Sequence, residues 1–421
     1  MIIGTGSETE ILPESQVYDL CAEAFSRKQL DNKRVLAIIP DYTRSGPIDL
    51  FFRYVYALIG YRVKTLDVLI ALGTHPPMSE EAIYRLVGIA KEEHLRTYPR
   101  VRFFNHNSRD SRQLELAGTF SEDEIEDVSG GLLRKKVDVT INKIAYEYDL
   151  LLIIGPTFPH EAMGFSGGHK YLFPGIAGNE IIDTLHWIGA LITIPVFIGT
   201  KDTPMRKLVE KAATFIPIER MCINLVCNDH DLFGLFIGPP EETFSAAAEL
   251  SDKIHIIYKN HPFKRVLSCA PPMYDELWTA GKCMYKLESV VANGGELIIY
   301  APHLTHLSYV HGHMIEQIGY HCRDYFVKQW DRFKDIQGGV LAHSCNVRGI
   351  GTYDNGIEKP RIDVILATQM NEEYCKRINL GYRAPESIKV DEWKDREDEN
   401  ILYVPKAGEM LYLLKDNPFR K

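Results

Sequence analysis

The feature that most constrains this chain is a series of short apolar runs, each giving way to a polar loop and then to a helical pattern. Residues 34–40 (RVLAIIP) lead into Asp41-Tyr42-Thr43-Arg44, and residues 65–72 (TLDVLIAL) lead into Gly73-Thr74-His75-Pro76-Pro77. Residues 101–104 end in Asn105-His106-Asn107, and residues 150–154 run into Gly155-Pro156 and a glycine-rich stretch. Runs this short, rich in Val, Ile and Leu and bounded by turn residues, predict strands buried on both faces. Ser79, followed by Glu80 and Glu81, is the predicted N-cap of the helix after the second run. Strand, polar loop, helix is the order of a mostly parallel α/β sheet, whose ligands gather at the carboxyl ends of the strands. The four polar loops are therefore expected to converge on one crevice.

The alternation continues. Residues 222–226 and 232–237 read as strands, followed by an Ala-rich helix from about Glu241. The pair Pro271-Pro272, within 261–273, marks a connection between domains. Residues 274–293 are helical in pattern, Gly294-Gly295 is the expected stop, and residues 296–300 and 363–367 read as strands of a second, smaller domain. A chain of 421 residues is too long for one ordinary domain. The expectation is two α/β domains with mostly parallel sheets flanking an interdomain active-site cleft, split as 1–268 and 269–400. A tail, 401–421, is free to return to the first domain.

Charge narrows the possible partners. With 48 Lys and Arg against 57 Asp and Glu, the net charge is −9, which argues against a nucleic-acid footprint. A small anionic substrate needs only one or two inward-facing cations and stays possible. No apolar stretch reaches the roughly 18–20 residues that span a bilayer, and MIIGTGSETEILPES lacks the basic and apolar regions of a secretory leader. The eight cysteines are scattered without a CxxC pair, which suits reduced thiols in a cytoplasmic protein and argues against a thiolate zinc site.

Chemistry concentrates between residues 155 and 186. In His160-Glu161-Ala162-Met163-Gly164-Phe165-Ser166-Gly167-Gly168-His169-Lys170, the glycines permit positive φ or close approach of backbone to a ligand. The following lysine supplies a cation or a nucleophile. The segment is neither a Walker A loop nor a zincin motif. Taken by itself it reads equally well as a glycine turn with a solvated lysine. Asn179 is a fair N-cap for an amphipathic helix over 180–190 that carries His186, on spacing alone an ordinary helix histidine.

The string PHEAMGFSGGHKYLFPGIAG resembles the signature of the lactate racemase family, whose members use a nickel-pincer nucleotide. In that family a PH…GFSGGxK…PGI segment carries a catalytic His and, ten residues on, a Lys joined covalently to the cofactor. A His sixteen residues further coordinates nickel. His160, Lys170 and His186 match both intervals. Asp41-x-Thr43-Arg44 resembles the DxTR loop, and Gly73-Thr74-His75 the GTH loop with the second catalytic His. Leu277-Trp278-Thr279-Ala280-Gly281-Lys282 resembles the LYQAxK stretch, whose Lys contacts substrate. The likeness runs from about residue 10 to past 300.

The resemblance implies a racemase or epimerase in which the cofactor takes hydride from C2 of a 2-hydroxy acid and returns it to either face. His75 and His160 would be the two bases, a task that suits imidazole near neutral pH. His186 would ligate nickel, which accepts imidazole readily. Lys170 would anchor the cofactor, a pyridinium thioamide/thiocarboxylate mononucleotide. Asp41, Thr43, Ser166, Gly167 and Gly168 would help to hold it. Arg44, with its planar fork, and Lys282 would bind the substrate carboxylate. In these terms 1–268 is the cofactor-binding and catalytic domain and 269–400 closes on substrate. Enzymes that make the cofactor would act upstream.

The pattern departs from the family where substrate should sit. Thr279 stands in place of the lactate-type Gln and Trp278 in place of Tyr, so a substrate larger than lactate, such as a sugar acid, is expected. His169 replaces a small residue before the Lys, His106 is expected to be structural, and His311-Gly312-His313 is a weak metal pair. Two alternatives remain: a cofactor-free binding homologue, disfavoured by the retained His75, His160, Lys170 and His186, and a 2-hydroxy acid dehydrogenase, disfavoured because no GxGxxG follows a strand.

Overall fold

A computed structural model describes residues 1–420. Contacts divide the chain into two units, the first comprising residues 1–158, 165–182 and 201–254, the second 159–164, 183–200 and 255–421.

The first unit is built on a seven-stranded sheet. Its strands are β1 (Ile3–Gly6), β2 (Arg34–Ile39), β3 (Thr65–Ile70), β4 (Phe103–Asn105), β5 (Leu150–Pro156), β6 (Glu219–Asn228) and β7 (Asp231–Gly238), in the order β1-β7-β6-β5-β2-β3-β4. From β6 to β4 all pairings are parallel, while β7 runs antiparallel to both β6 and β1. The expected strands all form, and five of the six residues of β2 and of β3 are buried, as strands covered on both faces require.

Helix Ile48–Ile59 shows how the cover is made. Ile48, Phe51, Phe52, Val55, Tyr56 and Ile59 are its buried residues, spaced at three and four along one face. They join Val35, Ala37, Val68, Ile70, Leu152 and Ile223 of the sheet in one core cluster. Ser79 caps helix Glu80–Leu86, its hydroxyl accepting from the Ala82 amide.

Register then sets where the loops fall. Ile39 pairs with Ile70, Ile70 with Asn105 and Ile38 with Ile153, so β2, β3, β4 and β5 end level with one another. The loops holding Asp41, His75, His106 and Thr157 therefore leave from the same edge. The chain order also changes direction there, β3 and β4 lying on one side of β2 and β5 on the other.

The second unit has a five-stranded parallel sheet of β8 (Phe263–Cys269), β9 (Val291–Ala301), β10 (Asp363–Thr368), β11 (Gly381–Tyr382) and β12 (Ile401–Val404), ordered β11-β10-β9-β8-β12. It corrects the sequence expectation in three places. Residues 274–293 are two short helices, Leu277–Ala280 and Lys282–Tyr285, and a 3-10 turn, not one helix. Gly294-Gly295 does not stop an element but lies inside β9, with Gly294 at φ +70° where the pairing with β8 shifts register. The tail belongs to this unit: β12 pairs with β8, and Leu411–Leu414 pairs with Ile256–Lys259. Contacts place the division at 254/255, rather than 268/269, and the pairing of Ile256–Lys259 with Leu411–Leu414, a separate two-stranded sheet, lies with the five-stranded sheet in the second unit.

Candidate active site

In the first unit the loops after β2 and β3 meet. His75 Nδ1 lies 2.5 Å from Asp41 Oδ2. The other carboxylate oxygen, Oδ1, accepts from the Thr43 amide at 3.0 Å and from the Thr43 hydroxyl at 2.6 Å. Arg44 donates in turn to Thr43 Oγ1 at 3.2 Å. Burial opposes charge on Asp41, yet His75, Arg44 and the Thr43 hydroxyl outweigh it and hold the carboxyl well below the usual range. A carboxylate so placed fixes the imidazole with its proton on Nδ1 and a lone pair on Nε2. Asp41 is thus committed to His75 and Thr43.

The glycine-rich loop is held from below. Ser166 Oγ donates to the Pro156 carbonyl and accepts from the Phe158 amide, and Tyr171 Oη donates to the same carbonyl. Gly167 is at φ +94°, and a Cβ there would meet Thr157 Oγ1 at 2.3 Å, so only glycine fits. Gly168 donates to Asn224 Oδ1 at 3.0 Å. Lys170, partly exposed, lies with its Nζ 5.6 Å from the Tyr171 ring centre. Tyr171 feels the charges of Arg44 and Asp41, which ties this loop to the first one. Gly73 completes the link by donating to the Gly175 carbonyl.

Behind the loop stands a cluster that the sequence reading missed. Arg206, 4% exposed, donates to the carbonyls of Phe165 at 2.6 Å and Gly167 at 3.2 Å, and its guanidinium lies 3.8 Å from the Phe244 ring centre. Glu210 sits 3.5 Å from Arg206 and accepts from His169 Nδ1 at 2.5 Å. Burial pulls the Arg206 guanidinium down to about 10, still cationic at neutral pH. His169, Glu210 and Glu241 stand close enough to share a cation. With Glu210 already satisfied by His169 and Arg206, the group serves to fasten the loop.

The other candidate residues lie in the second unit. His160 Nδ1 accepts from the Ala162 amide at 3.1 Å and is 3.5 Å from Glu161. Lys286, also missed, is buried and donates to the Pro159 carbonyl at 2.6 Å, anchoring this excursion. His186 is half-buried on helix Asn179–Ile192. Trp278 is stacked between His311 and His343, with ring centres 4.2 Å apart on each side. That stack, rather than a pairing with the exposed His313, is the place of His311. Burial pulls His343 down to about 4, and both Glu161 and His186 act on it electrostatically. Its Nδ1 is buried without a partner. Thr279 donates to the Glu276 carbonyl. Lys282, only 8% exposed, lies 4.7 Å from the Tyr274 ring centre and is no solvated surface lysine.

His106 follows β4 and is structural in its bonding. Nε2 donates to the Ala177 carbonyl, Asn142 donates to Nδ1, and burial pulls the ring down to about 4.

Comparison with known proteins gives a consistent picture. The lactate racemase N-terminal domain family matches residues 10–193. The lactate racemase of Thermoanaerobacterium thermosaccharolyticum is 27% identical over 274 residues, 64% of this chain and 60% of that protein. The lactate racemase of Lactiplantibacillus plantarum is 26% identical over 321 residues, 70% of this chain and 66% of that protein. The matches thus span a little under two thirds of each relative's length. A crystal structure of a Thermotoga maritima protein is 34% identical, covers 98% of this chain and 100% of its own, and superimposes with a TM-score of 0.89. The T. thermosaccharolyticum lactate racemase apoprotein shares the fold at 22% identity and TM-score 0.70, over 94% of this chain and 92% of its own.

Proposed function

We propose that this chain, which belongs to the lactate racemase family, is a racemase or epimerase that inverts C2 of a 2-hydroxy acid. The observation that carries the reading is the Asp41–His75 pair, set beside Thr43, Arg44 and the glycine loop of Lys170. A histidine braced by a buried carboxylate is suited to taking a hydroxyl proton near neutral pH. His160 is the second proton-handling group of the proposal. Arg44 and Lys282 are its cations for the substrate carboxylate.

The residues fit a covalently held nucleotide. Gly167 and Gly168 let the buried loop lie against Thr157 and Phe244 where a side chain would clash, and the buried Thr157 Oγ1 there has no hydrogen-bond partner. In this reading Lys170 anchors a nickel-pincer nucleotide, Thr43, Ser166, Gly167 and Gly168 shape its seat together with Asp41, and His186 ligates the metal. When bound, that group supplies a reversible acceptor for the C2 hydride. Enzymes that make it act upstream, in a cytoplasmic setting. Among the described residues no helix is long and apolar enough to cross a membrane.

The substrate is proposed to exceed lactate in size. Thr279 spends its hydroxyl on a backbone carbonyl and offers no amide, and Trp278 is held between His311 and His343, so a lactate-sized substrate loses a polar partner there. Co-production with the cofactor-synthesis enzymes tests the whole reading. Mass spectrometry should show an adduct on Lys170 with about one nickel per chain, and chiral chromatography should show inversion of longer hydroxy acids or sugar acids ahead of lactate. An unmodified Lys170 under those conditions would sink the cofactor assignment. A clear preference for lactate would sink the substrate assignment.

A further inference from the structure

We propose that the two histidines assigned to proton handling are held in opposite tautomers, so that His75 rests as a base and His160 rests as a hydrogen-bond donor. The proposal rests on the racemase reading for its use, but its physical basis is independent of that reading.

Each ring is fixed by what its Nδ1 meets. At His75, Nδ1 faces a buried carboxylate at 2.5 Å. Asp41 has no proton to give, because its carboxyl is held ionised and its other oxygen already receives two hydrogen bonds from Thr43. The neutral ring must therefore carry its proton on Nδ1 and leave a lone pair on Nε2. At His160 the situation is inverted. Nδ1 meets a donor, the backbone N–H of Ala162, at 3.1 Å. That bond is local: the Met163 amide closes on the His160 carbonyl, and the resulting turn presents the Ala162 amide to the His160 ring. A proton on Nδ1 would face another N–H, so the neutral ring carries it on Nε2.

Two neighbouring charges bear on this assignment. Arg44 acts on Asp41 and keeps it ionised. Glu161, 3.5 Å from His160 Nδ1, would favour a proton there, but the Ala162 amide lies closer. Lys286 fixes the Pro159 carbonyl and with it the start of the turn.

The chemistry follows from the two lone pairs. When a 2-hydroxy acid reacts at His75, the hydroxyl O–H breaks, its proton goes to Nε2, and the electron pair stays on oxygen. The imidazolium so formed is matched by Asp41. At His160 the Nε2–H is a neutral donor for a substrate oxygen, the role of an uncharged imidazole that polarises a carbonyl. To act as a base, His160 must first give up the Ala162 bond or lose the Nε2 proton. Asp41 and the Ala162 amide are thus positioning groups that make the two histidines unequal.

Nitrogen-15 labelling of histidine in the full-length protein reads this directly. Long-range proton–nitrogen correlations, assigned with His75→Gln and His160→Gln, should show protonated Nδ1 and bare Nε2 at His75 once its ring is neutral. The reverse pattern should appear at His160. In Asp41→Asn the His75 pattern should shift toward protonated Nε2 while that of His160 stays. The same tautomer at both rings in the wild type, or a proton on Nδ1 of His160, overturns the proposal without recourse to any variant. Because the spectra need neither cofactor nor turnover, failure of the racemase reading and failure of the tautomer assignment are told apart.

Discussion

His75 and His106 stand in corresponding places, each in the loop after one of two neighbouring parallel strands, yet they are made for different work. His75 keeps 18% of its side chain exposed and faces a carboxylate, which fixes the orientation of the ring. His106 is sealed between a carbonyl and an amide, and burial keeps it neutral. Position on the sheet edge brings a histidine to the site; its partners decide whether it can exchange a proton there.

That contrast can be broken by experiment. His75→Gln in the loaded enzyme should lower kcat by about 10²–10⁴-fold, whereas His106→Gln should leave kcat within a few-fold of wild type. Equal losses would erase the distinction. Asp41→Asn should follow His75, with kcat falling by roughly 10³-fold and KM little changed, because the imidazole loses its orientation and the support for its charge. A loss expressed wholly in KM would make Asp41 a substrate-binding group instead.

Acid should separate the two histidines next. His106 binds a proton at about 4 in the folded chain against 6.5 for a free ring. Between those values the unfolded chain takes up more protons, so stability is full above pH 6.5 and declines as pH falls toward 4. The loss is about 3 kcal/mol for this group, and buried His343 adds a similar decline. Denaturant unfolding at pH 7 and pH 4.5 should show a smaller acid loss in His106→Gln than in wild type, and an unchanged loss would place the effect elsewhere. The smallest expected effect is Ser79→Ala, which removes the cap of the helix after the His75 loop. It should lower stability by about 1 kcal/mol without touching kcat. A large fall in kcat would mean that this helix positions His75.

Much of this arrangement was legible before any coordinates. The apolar runs at 34–40, 65–72 and 150–154 announce parallel strands because burial on both faces leaves little room for polar residues. Their polar sequels announce loops at the strand ends, where Asp41, His75 and Lys170 indeed lie. The roles attached to those residues came from family resemblance and not from spacing. What could not be read were the supports. Arg206 and Asn224 hold Gly167 and Gly168 from 39 and 56 residues further along the chain, and nothing local marks an arginine as a clamp. The Asp41–His75 bond joins loops 34 residues apart in the same way. Gly294-Gly295 misled because a glycine pair punctuates turns and bulged strands alike, and only pairing with β8 decides between them.

The chain passes between the two units at residues 158/159, 164/165, 182/183, 200/201 and 254/255. During synthesis this creates an order of events. When Ile254 has emerged, every residue of the first unit exists, and its sheet can close with Lys170 and His75 in place. The segments 159–164 and 183–200, which carry His160 and His186, exist by then as well but lack the rest of their unit, which begins at His255. A ribosome-bound or truncated chain ending near residue 254 would therefore hold a finished anchor loop beside two unfinished excursions. The unit that carries His160 and His186 is completed only with the last 167 or so residues.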